Sequence, residues 1–246
     1  MNKNIDNMRI AGKALRRILD ELIKYSVPGR NLLEIESYAR TLCEKENVKP
    51  ECLNYHGYPA VLCLNHNNTL QHGIPRDVIL KSGDTLGIDT VVSYMGDMAD
   101  AANTIPIGEA DSDKRMFLKS VKYAMDKAIA IVKPGVKISS LTKIMDGVLR
   151  ANAYDPSSVF TGHGIGRKMH EFPEIPCSIE ICFGKSCQYV LKKDDTIAIE
   201  VIASMGNSDV DILKDGWTAV TKDNSRGGHF EHTVLVTEKG YEILTL

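Results

Sequence analysis

The amino-acid sequence predicts an α/β (α+β) fold in which one helix–strand unit occurs twice around a shared central antiparallel sheet. Two helical stripes each run into a Pro-Gly pair, Pro28-Gly29 and Pro134-Gly135, 106 residues apart. Each pair is followed by a second helical start with apolar residues four and seven positions beyond the proline: Leu32 and Ile35, then Ile138 and Leu141. A sharper echo follows. LKSGDTLGID (80–89) and LKKDDTIAIE (191–200), offset by 111 residues, share Leu, Lys, Asp, Thr and Ile at five of ten positions, and both close on a carboxylate. Two echoes with nearly equal offsets point to one architecture used twice. No Pro/Gly/Ser-rich linker separates the halves, so the expectation is one domain over 1–246, with pseudo-repeats of approximately 1–115 and 116–246.

Each element has its own signal. Apolar residues at 11, 14, 15, 18, 19, 22 and 23 form a helical stripe, with Asp6 or Asn7 available as N-cap and an end expected near Pro28-Gly29. A second helix is expected from Leu32, then short strands such as Ala60–Leu64. The two ten-residue echoes read as strands ending on Asp89 and Glu200, and TVVSYMGDMADAANTIPIG suggests a hairpin that returns Asp100 beside the first of them. SVKYAMDKAIAIVKPG and the segment from Ile138 supply the second helix pair, and the apolar run VLV beyond Glu231 supplies another strand.

Composition excludes several function classes. With 30 Lys+Arg against 32 Asp+Glu, the formal charge is -2, and no basic run is present, which argues against a dedicated nucleic-acid binder. A 43% hydrophobic content supports a sizeable core and excludes a disordered chain. No apolar stretch approaches the roughly 20 residues of a membrane span, and no signal-peptide core is visible, so the expected location is cytoplasmic. Six cysteines (Cys43, Cys52, Cys63, Cys177, Cys182, Cys187) without a C-x-x-C pattern are expected to be free packing thiols.

The chemistry-bearing residues are acids and histidines. If the halves are related by a pseudo-two-fold axis, Asp89 and Glu200 converge near it, and carboxylates buried together need cations. Asp100, Glu231 and His163, the last flanked by glycines in TGHGIG, complete a set of four carboxylates and one imidazole. Such an oxygen-rich set suits Mn²⁺, Fe²⁺, Co²⁺ or Zn²⁺. Four negative charges match two divalent ions, which in paired sites lie about 3.5–4 Å apart. Taken singly, each motif has a structural explanation, since an aspartate beside glycine is usually a turn residue; their joint occurrence on expected strand ends carries the specificity.

HGIP (72–75), GD…D (83–89) followed by D-x-x-x-T (100–104), GHGIG…H…P (162–173), I-E (199–200) and F-E-H-T (230–233) together resemble a type I methionine aminopeptidase, in the short bacterial form. YHGYPA (55–60) and DGWT (215–218) extend the resemblance over essentially the whole chain. It implies the "pita-bread" fold, in agreement with the duplication. It implies that Asp89, Asp100, His163, Glu200 and Glu231 bind two divalent metal ions per chain (Co, Mn, Fe or Zn), with Asp100 and Glu231 bridging and a shared hydroxide as nucleophile. Glu200 would shuttle a proton to the leaving amine, while His72 and His170 hold the scissile peptide. Cys52, Tyr55, Tyr58, Cys63 and Trp217 match the methionine pocket, and Met169 joins them where an aromatic is often found. The implied activity is removal of the N-terminal methionine from nascent proteins with a small second residue, a step of protein maturation, by a monomer in at most transient contact with the ribosome.

Several positions depart from the family pattern. Val201 stands where proline is usual, His229 where glutamine is usual, Met98 replaces a histidine and Asn68 a glutamate, as in a divergent second copy of the enzyme. His229 lies two residues from Glu231, so on a strand it shares its face and can perturb the site's charge or add a ligand. The alternatives are an Xaa-Pro peptidase of the same fold and a catalytically weak peptide-binding paralogue.

Overall fold

The computed structural model describes residues 3–246. Helices α1 (Ile5–Tyr25) and α2 (Leu32–Lys45) lead into the short strands β1 (Lys49–Pro50), β2 (Cys63–His66) and β3 (Thr69–Gln71), then into the long hairpin β4 (Thr85–Tyr94) and β5 (Asp97–Pro106). Helices α3 (Ser112–Ile129) and α4 (Ile138–Ala151) precede β6 (Asp155–Pro156), β7 (Thr161–Gly164), β8 (Glu171–Pro176) and the short α5 (Gly184–Gln188). β9 (Thr196–Ser204), β10 (Val210–Ile212), β11 (Ala219–Thr221), β12 (Gly227–Val236) and β13 (Tyr241–Ile243) complete the chain.

Ten strands build one antiparallel sheet along the path β1-β4-β5-β12-β9-β7-β8, with β2 on β4, β6 on β9 and β13 on β12. β10, β11 and β3 form a separate three-stranded sheet. Side chains alternate across a strand, and this alternation sorts the sheet into two faces. One face is apolar: Leu86, Ile88 and Val92 of β4, with Ala99 and Ala101 of β5, pack on Leu15, Ile18, Leu19 and Leu22 of α1. Ile197, Ile199 and Val201 of β9 and Val234 of β12 pack likewise on Phe117, Val121 and Met125 of α3 and Leu141 and Met145 of α4. Burying each of the larger side chains contributes roughly 1.5–3 kcal/mol relative to exposure, so α1, α3 and α4 are fixed to that face. The opposite face is left for Asp89, Asp100, Glu200 and Glu231.

The structure corrects several expectations. α1 is capped by Asn4, whose side chain accepts from the backbone N–H of Asp6 and Asn7, so those two residues are capped rather than capping. The helix ends at Tyr25, near the Pro28-Gly29 turn as expected. The strand expected at Ala60–Leu64 runs instead over Cys63–His66. Asp89 and Glu200 do not end their strands: Thr-Val-Val-Ser-Tyr after Asp89 and Val-Ile-Ala-Ser after Glu200 are β-formers that extend the ladder, placing both carboxylates mid-strand. Cys182 and Cys187, expected as free thiols, are disulfide-bonded, because the loop through α5 folds back and brings their Cα atoms to 5.6 Å. Cys43, Cys52, Cys63 and Cys177 are free and buried, as expected.

Candidate metal centre

Strand register assembles the site. Asp89 on β4 stands opposite Ala102 on β5, Ala102 opposite Glu231 on β12, and Glu231 opposite Glu200 on β9. In the next row Asp100 stands opposite Val91, and Ala198 stands opposite both Thr233 and His163 of β7. Thr233 Oγ1 joins β12 to β5, accepting from the Asp100 N–H and donating to the Asp100 carbonyl, each at 2.8 Å. The alanines between the acids leave open volume above the sheet. β7 approaches closely because Gly162 has no side chain: a Cβ there would stand 2.5 Å from the Ala198 carbonyl oxygen.

The five predicted ligands are buried, from 2% exposure for Glu231 to 8% for Asp89. His163 Nδ1 lies 2.9 Å from the Gly164 carbonyl, which can only accept, so Nδ1 carries the proton and the Nε2 lone pair faces the acids. Nε2 stands 3.7 Å from Asp100 Oδ2 and 3.8 Å from Glu200 Oε1. Among the described residues, Asp100 Oδ1 and Glu231 Oε1 have no hydrogen-bond partner. Ligating atoms converge in two triads, Asp100–His163–Glu231 and Glu200–His229–Glu231, with Glu231 common to both. Buried acids with orphaned oxygens beside a lone-pair-bearing imidazole fit divalent cations, which would compensate charge that the protein leaves unpaired. Asp89 is in neither triad; it closes the row at the far end.

Electrostatics are dominated by burial. It pushes the Asp89 carboxyl up to about 6, and burial with repulsion from neighbouring carboxylates drives Asp100 and Glu231 well above the usual range. Burial acts upward on Glu200 too, but His229, then His163 and His72, outweigh it and hold the carboxyl below its ordinary value. A bound divalent cation reverses these upward shifts.

A cavity of about 280 Å³ opens beside this cluster. Every residue predicted for catalysis, metal binding or the pocket lines it. Its apolar end is built by Cys52, Tyr58, Cys63, Met169 and Trp217. Trp217 sits edge-on to Tyr58, centroids 5.2 Å apart, in a turn where Asp215 accepts from the backbone N–H groups of Trp217 and Thr218. At the polar end, Tyr55 Oη lies 2.7 Å from His170 Nδ1. Burial, and then His163, lowers the His170 imidazole to about 4; burial also lowers His72. His72 has a left-handed φ of 56°, and the adjoining Gly73 N–H is tied to Asn65 Oδ1.

The sequence reading missed Gln71, Val91, Val159, Phe160 and Thr161, which also line the cavity. Gln71 is the consequential one: its Nε2 donates to Glu200 Oε2 at 3.3 Å. Its signal was a lone polar side chain on the Leu-Gln-His step into HGIP, too slight to separate from an ordinary strand end. Of the departures from the family pattern, Val201 faces the helices, Met98 packs at the rim of the apolar end, and the half-buried Asn68 bonds Asn224.

A helix-backed sheet whose open face gathers buried acids and imidazoles beside a cavity with one apolar end is the arrangement of a metal-dependent hydrolase. The chain belongs to metallopeptidase family M24, whose model matches residues 6–238. It is 33% identical to a methionine aminopeptidase of Mycoplasma capricolum over 99% of this chain and 96% of the relative. It superposes on the crystal structure of methionine aminopeptidase from Thermotoga maritima with a TM-score of 0.93 and 36% identity, covering 98% of this chain and 96% of that one. Its likeness to a prolidase from Pyrococcus furiosus, TM-score 0.79 at 22% identity over 100% of this chain and 65% of that one, is one of fold. Among the described residues, no helix is long and apolar enough to cross a membrane.

Proposed function

We propose that the protein is a methionine aminopeptidase that removes the N-terminal methionine from polypeptides with a small second residue. The observation that carries this reading is the juxtaposition, in one cavity, of an apolar end with the buried acids, which suits one unbranched thioether side chain whose following peptide bond lies over the cluster. Asp89, Asp100, His163, Glu200 and Glu231 would hold two divalent ions of the Co, Mn, Fe or Zn type. Bound there, the ions supply Lewis-acid charge and a lowered water pKa.

The remaining chemistry belongs to side chains. With the Tyr55 hydroxyl donating to His170 Nδ1, 2.7 Å away, Nε2 would carry the hydrogen and donate to the scissile peptide carbonyl as its oxygen gains charge. Burial keeps His72 and His170 neutral at pH 7, so they bond the peptide without adding charge. Glu200, whose carboxyl lies below its ordinary value, takes a proton from the attacking water and passes it to the leaving amine. Cys52, Tyr55, Tyr58, Cys63, Met169 and Trp217 exclude water from the methionine side chain. We further propose one domain of two related halves, acting as a cytoplasmic monomer on nascent chains, with ribosome contact at most transient.

The test is release of methionine from Met-Ala-Ser, Met-Lys-Ser and an Xaa-Pro peptide with Mn²⁺, Fe²⁺ or Co²⁺. Turnover of the first alone is expected; cleavage of Xaa-Pro alone, or of nothing with any metal, overturns the proposal. Glu200→Gln should keep the fold, seen by circular dichroism, and abolish turnover; a near-normal rate would remove Glu200 from the proton path.

A further inference from the structure

His229 is a buried group at the cluster to which the proposed chemistry gives no direct role. It is 1% exposed, yet neither ring nitrogen has a hydrogen-bond partner among the described residues. Orphaned nitrogens of that kind cost roughly 1–3 kcal/mol and are rare in native interiors unless an ion or water completes them. The ring's position is built in. Thr104 Oγ1 accepts from the His229 N–H and donates to the His229 carbonyl, both at 2.9 Å, fixing this point of β12 against β5. Positions 229 and 231 share a face of the strand, so the imidazole is delivered to the acids.

The distances are those of co-ligands. Donor atoms about 2.0–2.2 Å from one ion stand roughly 3–3.5 Å from each other. His229 Nε2 is 3.1 Å from Glu200 Oε2 and 3.7 Å from Glu231 Oε2. The shorter approach is not an aligned hydrogen bond, so Nε2 is free to turn a lone pair to an ion that enters between the three groups. Gln71 steadies the same Glu200 oxygen from the other side and is itself held by Asn65 Nδ2 at 3.1 Å.

We propose that His229 is a metal ligand: with Glu200 and Glu231 it forms a second carboxylate–imidazole triad, so that each of two ions is bound by one imidazole and Glu231 is shared. The inference rests on the metal centre proposed above and changes its donor set from one nitrogen to two. Imidazole favours borderline ions over hard ones, so the second ion's preference moves from Mn²⁺ toward Co²⁺, Fe²⁺ or Zn²⁺.

The test uses the full chain titrated with Co²⁺ and read by proton NMR, where an imidazole bound to paramagnetic cobalt shows its remaining exchangeable N–H far outside the normal range. Two such signals are expected in the wild type and one in His229→Gln. The variant should also bind one of its ions at least about tenfold more weakly and show a lowered Co²⁺/Mn²⁺ preference in competition titrations. A single shifted N–H in the wild type overturns the inference whether or not the variant folds, and so does a variant that binds two Co²⁺ with wild-type affinity; both leave the aminopeptidase proposal standing. Failure of the wild type to bind Co²⁺, Mn²⁺ or Zn²⁺ overturns the inference and the metal centre together.

Discussion

The strands Thr85–Tyr94 and Thr196–Ser204 carry echoing sequences, and each lifts one carboxylate from the same face of the sheet into the same cavity. The surroundings of the two carboxylates differ. Asp89 stands beside β2, opposite Cys63, next to the apolar end of the cavity, and burial drives its carboxyl up to about 6. Glu200 lies between β7 and β12, within reach of His163, His229 and Gln71, and its carboxyl is held down. Matching strands thus give equivalent positions, while the flanking strands decide the charge each position carries. Of the two, only Glu200 has imidazoles close enough to hold its carboxyl below the ordinary range.

The most severe way to break the contrast is at the group both triads use. Glu231→Gln keeps the shape and removes the shared charge, so elemental analysis after dialysis should find both ions lost, with methionine release reduced by more than about 10³-fold. Retention of two ions at an activity within tenfold of wild type would show that the triads do not share Glu231.

A subtler way separates the two carboxylates in the metal-free chain. Asp89 has a folded value of about 6 against an ordinary 3.8. Its ionisation therefore opposes folding: the penalty is absent below 3.8, grows through the interval and is complete above 6. The shift corresponds to at most about 3 kcal/mol. Metal-free Asp89→Asn should be more stable than metal-free wild type at pH 7.5 in urea denaturation, with the advantage vanishing as pH falls toward 4. Glu200 shifts the other way, and Glu200→Gln should give no such gain. Equal gains from both variants would mean that the neighbouring strands do not set the charge states.

How much of this was legible in the sequence follows from which interactions are local. The helix pairs and the two echoing strands were visible because periodicity and turn residues are short-range signals, and the ligand set was visible because its motifs occur in fixed order. Strand ends were misplaced because the residues after Asp89 and Glu200 are as β-prone as those before them, so the ladder continues until its partner strands stop. Asn4 was passed over as a cap because the apolar stripe starts several residues later. The Cys182–Cys187 bond depended on a loop folding back, which five-residue spacing does not announce. Gln71 was invisible because its importance comes from Glu200, 129 residues away, through a single hydrogen bond.

The smallest expected effect tests how the first half of the chain serves the second. Tyr55 precedes both echoing strands, yet its hydroxyl lies 2.7 Å from Nδ1 of His170, which belongs to the segment that carries His163. An imidazole lowered to about 4 is neutral at working pH, and a neutral imidazole can present either nitrogen as donor. A hydroxyl that donates to Nδ1 would make that choice, keeping the proton on Nε2, facing the cavity. Tyr55→Phe keeps the ring packing and removes the choice, which at about 0.5–1.5 kcal/mol for one hydrogen bond predicts a roughly 2- to 12-fold fall in kcat. KM should change little, since the ring that borders the methionine side chain remains. The low His170 value also means that its protonation contributes no inflection to the wild-type pH–rate profile between pH 5 and 8. A Tyr55→Phe enzyme that loses affinity with kcat intact would make Tyr55 a wall of the pocket alone, and the second half of the chain would then orient its own histidine.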